Sequence, residues 1–411
     1  MMTNRRVVVT GLGCVTPIGE DVPSTWRAML DGRSGVRRLD DGYSQNLPVK
    51  IAAPVVAEPP HAVERVKGRR MDRNAQFAVA AAREAWADAE LTDDLPKERL
   101  GVVVGCAVGG LHTTLSNYDH LPGNPRRVSP WGIPMLMVNS AAAYVGIEFE
   151  ARSAVRTPVS ACASGNEALA MAADEIRLGR ADVVLAGGAE SAITPLTLAA
   201  FAQMTALSTR NDAPTLASRP WDLDRDGFVL GEGAGILVLE AYDHARARGA
   251  NIYAELSGTG VTSDGYDIVR PDPDAKGAFR AMRQALEDGY LVPEDIVHVN
   301  AHATSTPMGD VIEASAVRRV LGKAADGMIA TASKSMTGHL LGASGAVESI
   351  ATVLAIRDRL VPPTVNLERP DPRIDLDMAR TERKLPGGDV AALCNSFGFG
   401  GHNTSIAFAS I

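Results

Sequence analysis

Short apolar runs that break off in glycine alternate along the whole chain with segments of helical periodicity. "RRVVVTGLG" reads as a buried strand, "RNAQFAVAAAREAWADA" as a helix and "RLGVVVGCAVGG" as a second strand ending in glycines. "ADVVLAGG" reads as a third strand, stopping in a glycine turn. The pattern restarts near Ile252: "IYAELSGTGVTSDG" is a strand entering a Gly/Thr turn, "AKGAFRAMRQALEDG" a helix, and "IVHVNAHATSTPMGD" a strand with a polar exit. Strands apolar on both faces need helices on both faces, so the alternation restricts the chain to an α/β protein with largely internal strands. A chain of 411 residues is too long for one ordinary core, so two fused halves are expected, 1–251 and 252–411. An internal echo points the same way. "TPVSACASGNEALAMA" and "TASKSMTGHLLGASGAVESIATVLAI" both run from a small-residue strand end, through one reactive side chain, into an apolar helix. If that echo is a true repeat, a pseudo-twofold arrangement brings Cys162 and the Lys334–His339 segment to a shared centre.

Several function classes are disfavoured. Gly11-x-Gly13 follows the first strand as in a dinucleotide fingerprint, but Thr16 stands where the third glycine belongs and no helix pattern follows directly. The formal net charge of −8 argues against a general nucleic-acid binder, although "RVKGRRMDR" is a local basic stretch. Cys14, Cys106, Cys162 and Cys394 form no C-x-x-C pair and no His/Cys cluster with zinc spacing, so neither a disulfide framework nor a metal site is expected. The opening "MMTNRRVVVTGLG" has no signal-peptide core and no apolar run reaches membrane-spanning length. The expectation is a reduced, cytoplasmic, soluble protein.

Cys162 lies between Ser160-Ala161 and Ala163-Ser164-Gly165, at the mouth of a helix that begins near Asn166. Free backbone N–H groups and the helix dipole there favour a thiolate, while the competing reading is a cysteine packed as a small hydrophobe. Two of the eight histidines, His302 in "NAHATSTPMGD" and His339 in "SKSMTGHLLGASG", sit in polar turns after strands. With Lys334 they complete the nucleophile-plus-imidazole set of acyl transfer. Gly398, Gly400 and Gly401 of "CNSFGFGGHN" let backbone N–H groups approach a ligand and can supply half an oxyanion hole.

At this point the chain closely resembles the β-ketoacyl-acyl-carrier-protein synthases of the elongating type, condensing enzymes of fatty-acid synthesis. The motifs carrying the resemblance are "VVVTGLGCVTPIG", "RVSP", "SACASG", "STRNDAPTLASRPWDLDRDGFVLGEGAG", "NAHATSTPMGD", "SKSMTGHLLGASGAVES" and "NSFGFGGHN". The resemblance implies the thiolase fold, a five-layer αβαβα core from two similar halves, normally a homodimer. It implies Cys162 as the nucleophile that takes the acyl chain, and His302 and His339 as the pair that binds the malonyl thioester and promotes decarboxylation. Lys334 then supports His339, and the gating Phe399 shares the oxyanion hole with Cys162 through its backbone N–H. Thr304 and Thr306 hydrogen-bond the pantetheine arm, and Glu348 is architectural. No cofactor is implied, since both substrates arrive on acyl carrier protein.

Docking of that acidic partner is expected on Arg65, Lys67, Arg69 and Arg70 with Arg126 and Arg127. Thr205 stands where the family often carries arginine. In the acyl pocket, Gly132 replaces a bulky side chain and Val108 an isoleucine, which opens space for longer or stiff chains unless Trp131 swings into it. Ala303 and His402 are further departures outside the catalytic set. A thiolase would place a second catalytic cysteine in a C-terminal Cys-x-Gly loop, and Cys394 lacks that spacing. Initiating condensing enzymes replace the second histidine with asparagine, and chain-length-factor subunits lose the nucleophile. The open alternative is a ketosynthase of a type II polyketide system, paired with a chain-length factor.

Overall fold

The computed structural model describes residues 5–44 and 46–411. In the first half, β1 (Val7–Val15) leads through α1 (Arg73–Asp88), β2 (Leu100–Gly105), α2 (Ser140–Glu148) and β3 (Val155–Arg156) to α3 (Ser164–Arg177), β4 (Val183–Glu190) and β5 (Gly233–Ala241). The second half runs β6 (Ala254–Ser263), α4 (Lys276–Asp288), β7 (Ile296–Asn300), α5 (Gly309–Leu321), β8 (Ile329–Thr331) and α6 (Ser344–Asp358). It ends with β9 (Asp377–Met378), β10 (Ala391–Gly398) and β11 (His402–Ala409).

Strand order repeats between the halves. The first is β3-β2-β4-β5-β1 and the second β8-β7-β10-β11-β6, with β9 added at the far edge. In each, the first three strands pair in parallel and the last three antiparallel. The two sheets join by a short antiparallel seam, Val7 opposite Leu256 through Val9 opposite Ala254. Helices α1 and α2 cover the first sheet, α4 and α5 the outer face of the second, and α3 and α6 lie between, touching strands of both. This makes five layers. Every residue of α6 from Ser344 to Ile356 is buried, as a helix with both flanks against sheets requires.

The glycines of the first strand now have a structural explanation. A Cβ on Gly11 would lie 2.3 Å from the Ala85 carbonyl oxygen and one on Gly13 1.9 Å from that of Ala81. The same packing recurs in β6, where Gly258 and Gly260 would place a Cβ 2.0 and 1.9 Å from the Ala285 and Ala281 oxygens. Gly-x-Gly at these strands is the footprint of a closely seated helix, α1 or α4. One expectation is corrected: "ADVVLAGG" does not end in a glycine turn, because β4 runs through both glycines to Glu190. A Cβ on Gly187 would meet the Gly235 oxygen at 1.9 Å and one on Gly188 the Gly342 oxygen at 2.3 Å, so these glycines serve close packing.

The repeat expected from the sequence acquires a register. Ala161 and Leu341 both take left-handed backbone, φ +50 and +47. Ser164 Oγ accepts from the Ser160 N–H at 3.0 Å, and Ser344 Oγ accepts from the Leu340 N–H at 2.8 Å. Ala163-Ser164-Gly165 thus matches Ala343-Ser344-Gly345, and Cys162 matches Gly342.

Candidate active site

Cys162 sits in a one-turn 3-10 segment, Ala161–Ala163, that feeds directly into α3. The hairpin between β10 and β11 lies against it. A Cβ on Gly398 would fall 2.6 Å from the Ser160 oxygen and 3.0 Å from the Cys162 nitrogen, so only glycine permits this approach. Gly400 and Gly401, at φ +83 and +74, then turn the chain through Phe399–Gly401. The turn aims the Phe399 N–H at the thiol, beside the Cys162 N–H, the two-donor arrangement of an oxyanion hole.

The thiol itself departs from the sequence expectation. Cys162 is only 8% exposed, and burial pushes it up to about 11, against the opposing pull of Lys334 and the Phe399 amide. The helix mouth does not outweigh desolvation in the free enzyme. Alkylation of Cys162 by iodoacetamide is therefore expected to climb about tenfold per pH unit from pH 7 to 9. A plateau near neutrality, read by peptide mass spectrometry, would return control to the helix mouth.

His302 follows β7, and its backbone is clamped by α5: Glu313 Oε1 accepts from the His302 N–H at 2.8 Å and Oε2 from the Ala303 N–H at 2.7 Å. Its Nδ1 is buried with no protein partner. His339 follows the helical turn Lys334–Thr337, and its N–H donates to the Val229 carbonyl at 2.7 Å. Ser344 Oγ lies 2.9 Å from His339 Nδ1. Oγ accepts from Leu340 and keeps its own proton to donate; with that proton given to Nδ1, the ring proton sits on Nε2 as a donor. The two imidazoles meet edge to face with centroids 5.4 Å apart, and the Phe228 ring flanks His339 at 5.3 Å. Burial, reinforced by Lys334, holds both histidines well below the usual imidazole range, and His339 depresses His302 further. Both rings are neutral near pH 7. Lys334 Nζ reaches Glu348 Oε1 at 2.5 Å with both side chains buried. Glu348 is thus the counter-ion of Lys334, beyond the architectural part expected for it.

Thr304 and Thr306, half-buried, hold their hydroxyls 3.1 Å apart on the loop after His302, next to the exposed Met308. The apolar cluster around Cys162 is built from Ile193, Leu198, Leu207, Phe228 and Leu341, with Phe201 packed against it. The pocket expectation needs revision at Gly132. A Cβ there would lie 2.7 Å from Asn117 Nδ2, so the Asn117 amide already sits against the Gly132 backbone. Trp131 does not swing in either: it is 41% exposed and lies under the Arg70 guanidinium at 4.7 Å. Val108 is 38% exposed, its N–H directed to Glu190.

That Arg70–Trp131 contact brings together the two basic segments assigned to docking. Arg65, Lys67, Arg69, Arg126 and Arg127 are exposed, but Lys67 is drawn to Glu148 at 3.8 Å and Glu64 at 3.9 Å. Thr205 is exposed, and Cys394 is buried against Asn166. Among the described residues no cluster of His, Cys, Asp or Glu is placed to hold a metal, and no helix is long and apolar enough to cross a membrane. Glu313, Ser344, Phe201 and Phe228 were not read from the sequence; only Ser344 carried a signal, the repeated Ala-Ser-Gly.

A family model described as "Beta-ketoacyl synthase, N-terminal domain" matches residues 4–245, and one described as "Beta-ketoacyl synthase, C-terminal domain" matches 253–368. The 3-oxoacyl-[acyl-carrier-protein] synthase 2 of Coxiella burnetii is 43% identical over 100% of both chains. Its namesake from Synechocystis is 44% identical over 99% of this chain and 98% of the relative. The Mycobacterium tuberculosis protein of that name is 45% identical over 98% and 96%. Among solved structures, a type II polyketide synthase acyl-carrier protein in complex with its ketosynthase superposes with TM-score 0.92 at 34% identity, covering 100% of both chains. The ishigamide ketosynthase/chain length factor gives 0.90 at 33%, again over 100% of both. A β-ketoacyl synthase from Burkholderia phymatum gives 0.90 at 38%, over 99% of this chain and 100% of that one. Matched in both halves and superposed along its length, the chain belongs to the β-ketoacyl synthase family and has the thiolase fold.

Proposed function

We propose that the protein is a β-ketoacyl-acyl-carrier-protein synthase of fatty-acid elongation, an acyltransferase-class condensing enzyme. The observation that carries this is the convergence of Cys162 and the Phe399 amide from one side with two neutral, buried imidazoles beside a buried lysine from the other. Cys162 sulfur attacks the acyl thioester, the oxyanion faces the Cys162 and Phe399 N–H groups, and the carrier thiol leaves with the proton. Malonyl thioester then loses CO₂. The electron pair settles on the thioester oxygen as an enolate, which the N–H donors of His302 and His339 stabilise. The enolate carbon attacks the acyl–Cys162 thioester, expelling the thiolate and forming the 3-oxoacyl product. Neutral imidazoles suit this step, since each offers a donor without competing as a cation for the malonyl carboxylate.

In the same proposal Thr304 and Thr306 hold the pantetheine arm, no further cofactor takes part, and the halves divide at 251/252. The protein works in the cytoplasm as a homodimer. The exposed edge strand β3, which carries Val155, together with exposed Val159 and Ile147, offers the surface for pairing. The test is turnover of malonyl-carrier protein with a series of saturated acyl-carrier proteins, read by mass. Products two carbons longer are expected; no product with any saturated chain overturns the fatty-acid role.

A second reading, a type II polyketide ketosynthase paired with a chain-length factor, draws on the similarity to the ishigamide and carrier-bound ketosynthase structures. Saturated chains failing while polyunsaturated ones turn over would favour it. For docking, reversing Arg69 and Arg70 to glutamate is expected to raise KM for carrier-bound substrate roughly tenfold, less at high salt. An unchanged KM removes both from the docking surface.

A further inference from the structure

A segment of the first half, Arg219–Gly227, reaches across to the second half and grips the loop after His302. The Arg219 N–H donates to Ser305 Oγ at 3.0 Å, and the Gly227 N–H donates to the Ser305 carbonyl at 3.0 Å. The Trp221 N–H donates to Asp310 Oδ2 at 2.8 Å, at the head of α5. The centre of the grip is Arg225, whose side chain is 2% exposed. Its Nε donates to the Thr306 carbonyl at 2.9 Å and Nη2 to the Pro307 carbonyl at 2.7 Å. Nη1 donates to the Asp222 carbonyl at 2.8 Å and to Asp371 Oδ2 at 2.9 Å. Asp371 is itself held by Arg373.

A buried guanidinium in this position is more than a counter-ion. Ser305 takes left-handed backbone, φ +69, a conformation that a non-glycine residue keeps only where its surroundings impose it. Thr304 and Thr306 flank it, so the orientation of both hydroxyls depends on that twist being held. The planar fork of arginine fixes two successive carbonyls at once, which the single ammonium of lysine does not.

We infer that Arg225 is a positioning residue for recognition of the carrier arm: its hold on the Thr306 and Pro307 carbonyls sets the Thr304 and Thr306 hydroxyls where an amide-bearing pantetheine can bind. This rests on the proposed role of the two threonines. Arg225→Lys and Thr306→Val, alone and together, would be assayed with carrier-bound substrate and with a short acyl thioester lacking most of the arm. Arg225→Lys is expected to raise KM for the carrier-bound substrate roughly tenfold, with kcat within about threefold and the short thioester unaffected. Thr306→Val is expected to do the same, and the double variant to be no worse than the poorer single one, because both remove the same contact. Equal losses on both substrates, or additive losses in the double variant, overturn the proposal. A raised KM in Thr306→Val with an unchanged one in Arg225→Lys sinks it alone; an unchanged KM in Thr306→Val sinks the reading of the threonines and the proposal with it. Should Arg225→Lys fail to fold, Asp371→Asn keeps the arginine but loosens it. That variant is expected to give a smaller KM rise confined to the carrier-bound substrate, and no rise overturns the proposal.

Discussion

Cys162→Ser is expected to lower condensation by roughly 10³-fold or more while leaving malonyl decarboxylation measurable. The Cys162 thiol, even pushed up to about 11, is far more acidic than a serine hydroxyl and forms the better nucleophile and leaving group. A serine there has no base to activate it: His339 is engaged through Nδ1 with Ser344, and burial disfavours protonation of either imidazole. The His302 and His339 donors that serve the enolate are untouched by the change, so the two activities separate. Cys162→Gln goes further, because its amide mimics the acyl thioester, and decarboxylation of malonyl-carrier protein is expected to rise above wild type. Measuring CO₂ release beside 3-oxoacyl product distinguishes them. A serine variant that keeps most of its condensing activity would sink the covalent mechanism.

His302→Ala and His339→Ala are each expected to cost roughly 10²–10³ in decarboxylation, the scale of one lost donor to a developing oxyanion. Acyl transfer to Cys162 should survive in both, since that oxyanion is served by backbone N–H groups. Intact-mass detection of acyl-enzyme after mixing with acyl-carrier protein is the check. Failure of either variant to load would reassign that histidine as the base for Cys162. The loss should not be rescued by lowering the pH, because the rings act as neutral donors with protonation suppressed by burial and Lys334.

The sequence made the alternating frame legible because strands buried on both faces have a strong signature, and the helices at 73–88 and 276–288 carry clear periodicity. It misled where one residue type serves two ends. Gly187 and Gly188 looked like a turn and are strand, since glycine is also what a crowded backbone demands. Gly132 looked like open space, but the Asn117 amide, fifteen positions earlier, sits against its backbone, a contact no local pattern encodes. The catalytic set was legible through motif resemblance, whereas its supports were not. Glu313 reads as one more polar residue on a helix until α5 is folded under His302. The thiol was misjudged because a helix mouth can be read from sequence and the desolvation of a side chain cannot.

The seam between the sheets, Val7–Val9 against Ala254–Leu256, sets the alignment tolerance of the chemistry. A slip of two residues there would slide one half past the other by roughly 7 Å along the strands. Cys162 sits on the first half and His302 and His339 on the second, so the covalent chain on one half would miss the carbanion formed on the other. A three-residue joint is short for that duty, and α3 and α6, wedged between both sheets, act as its dowels. The frame is thereby pinned at three places, the seam and the two helices, and the register between the halves is shared among them.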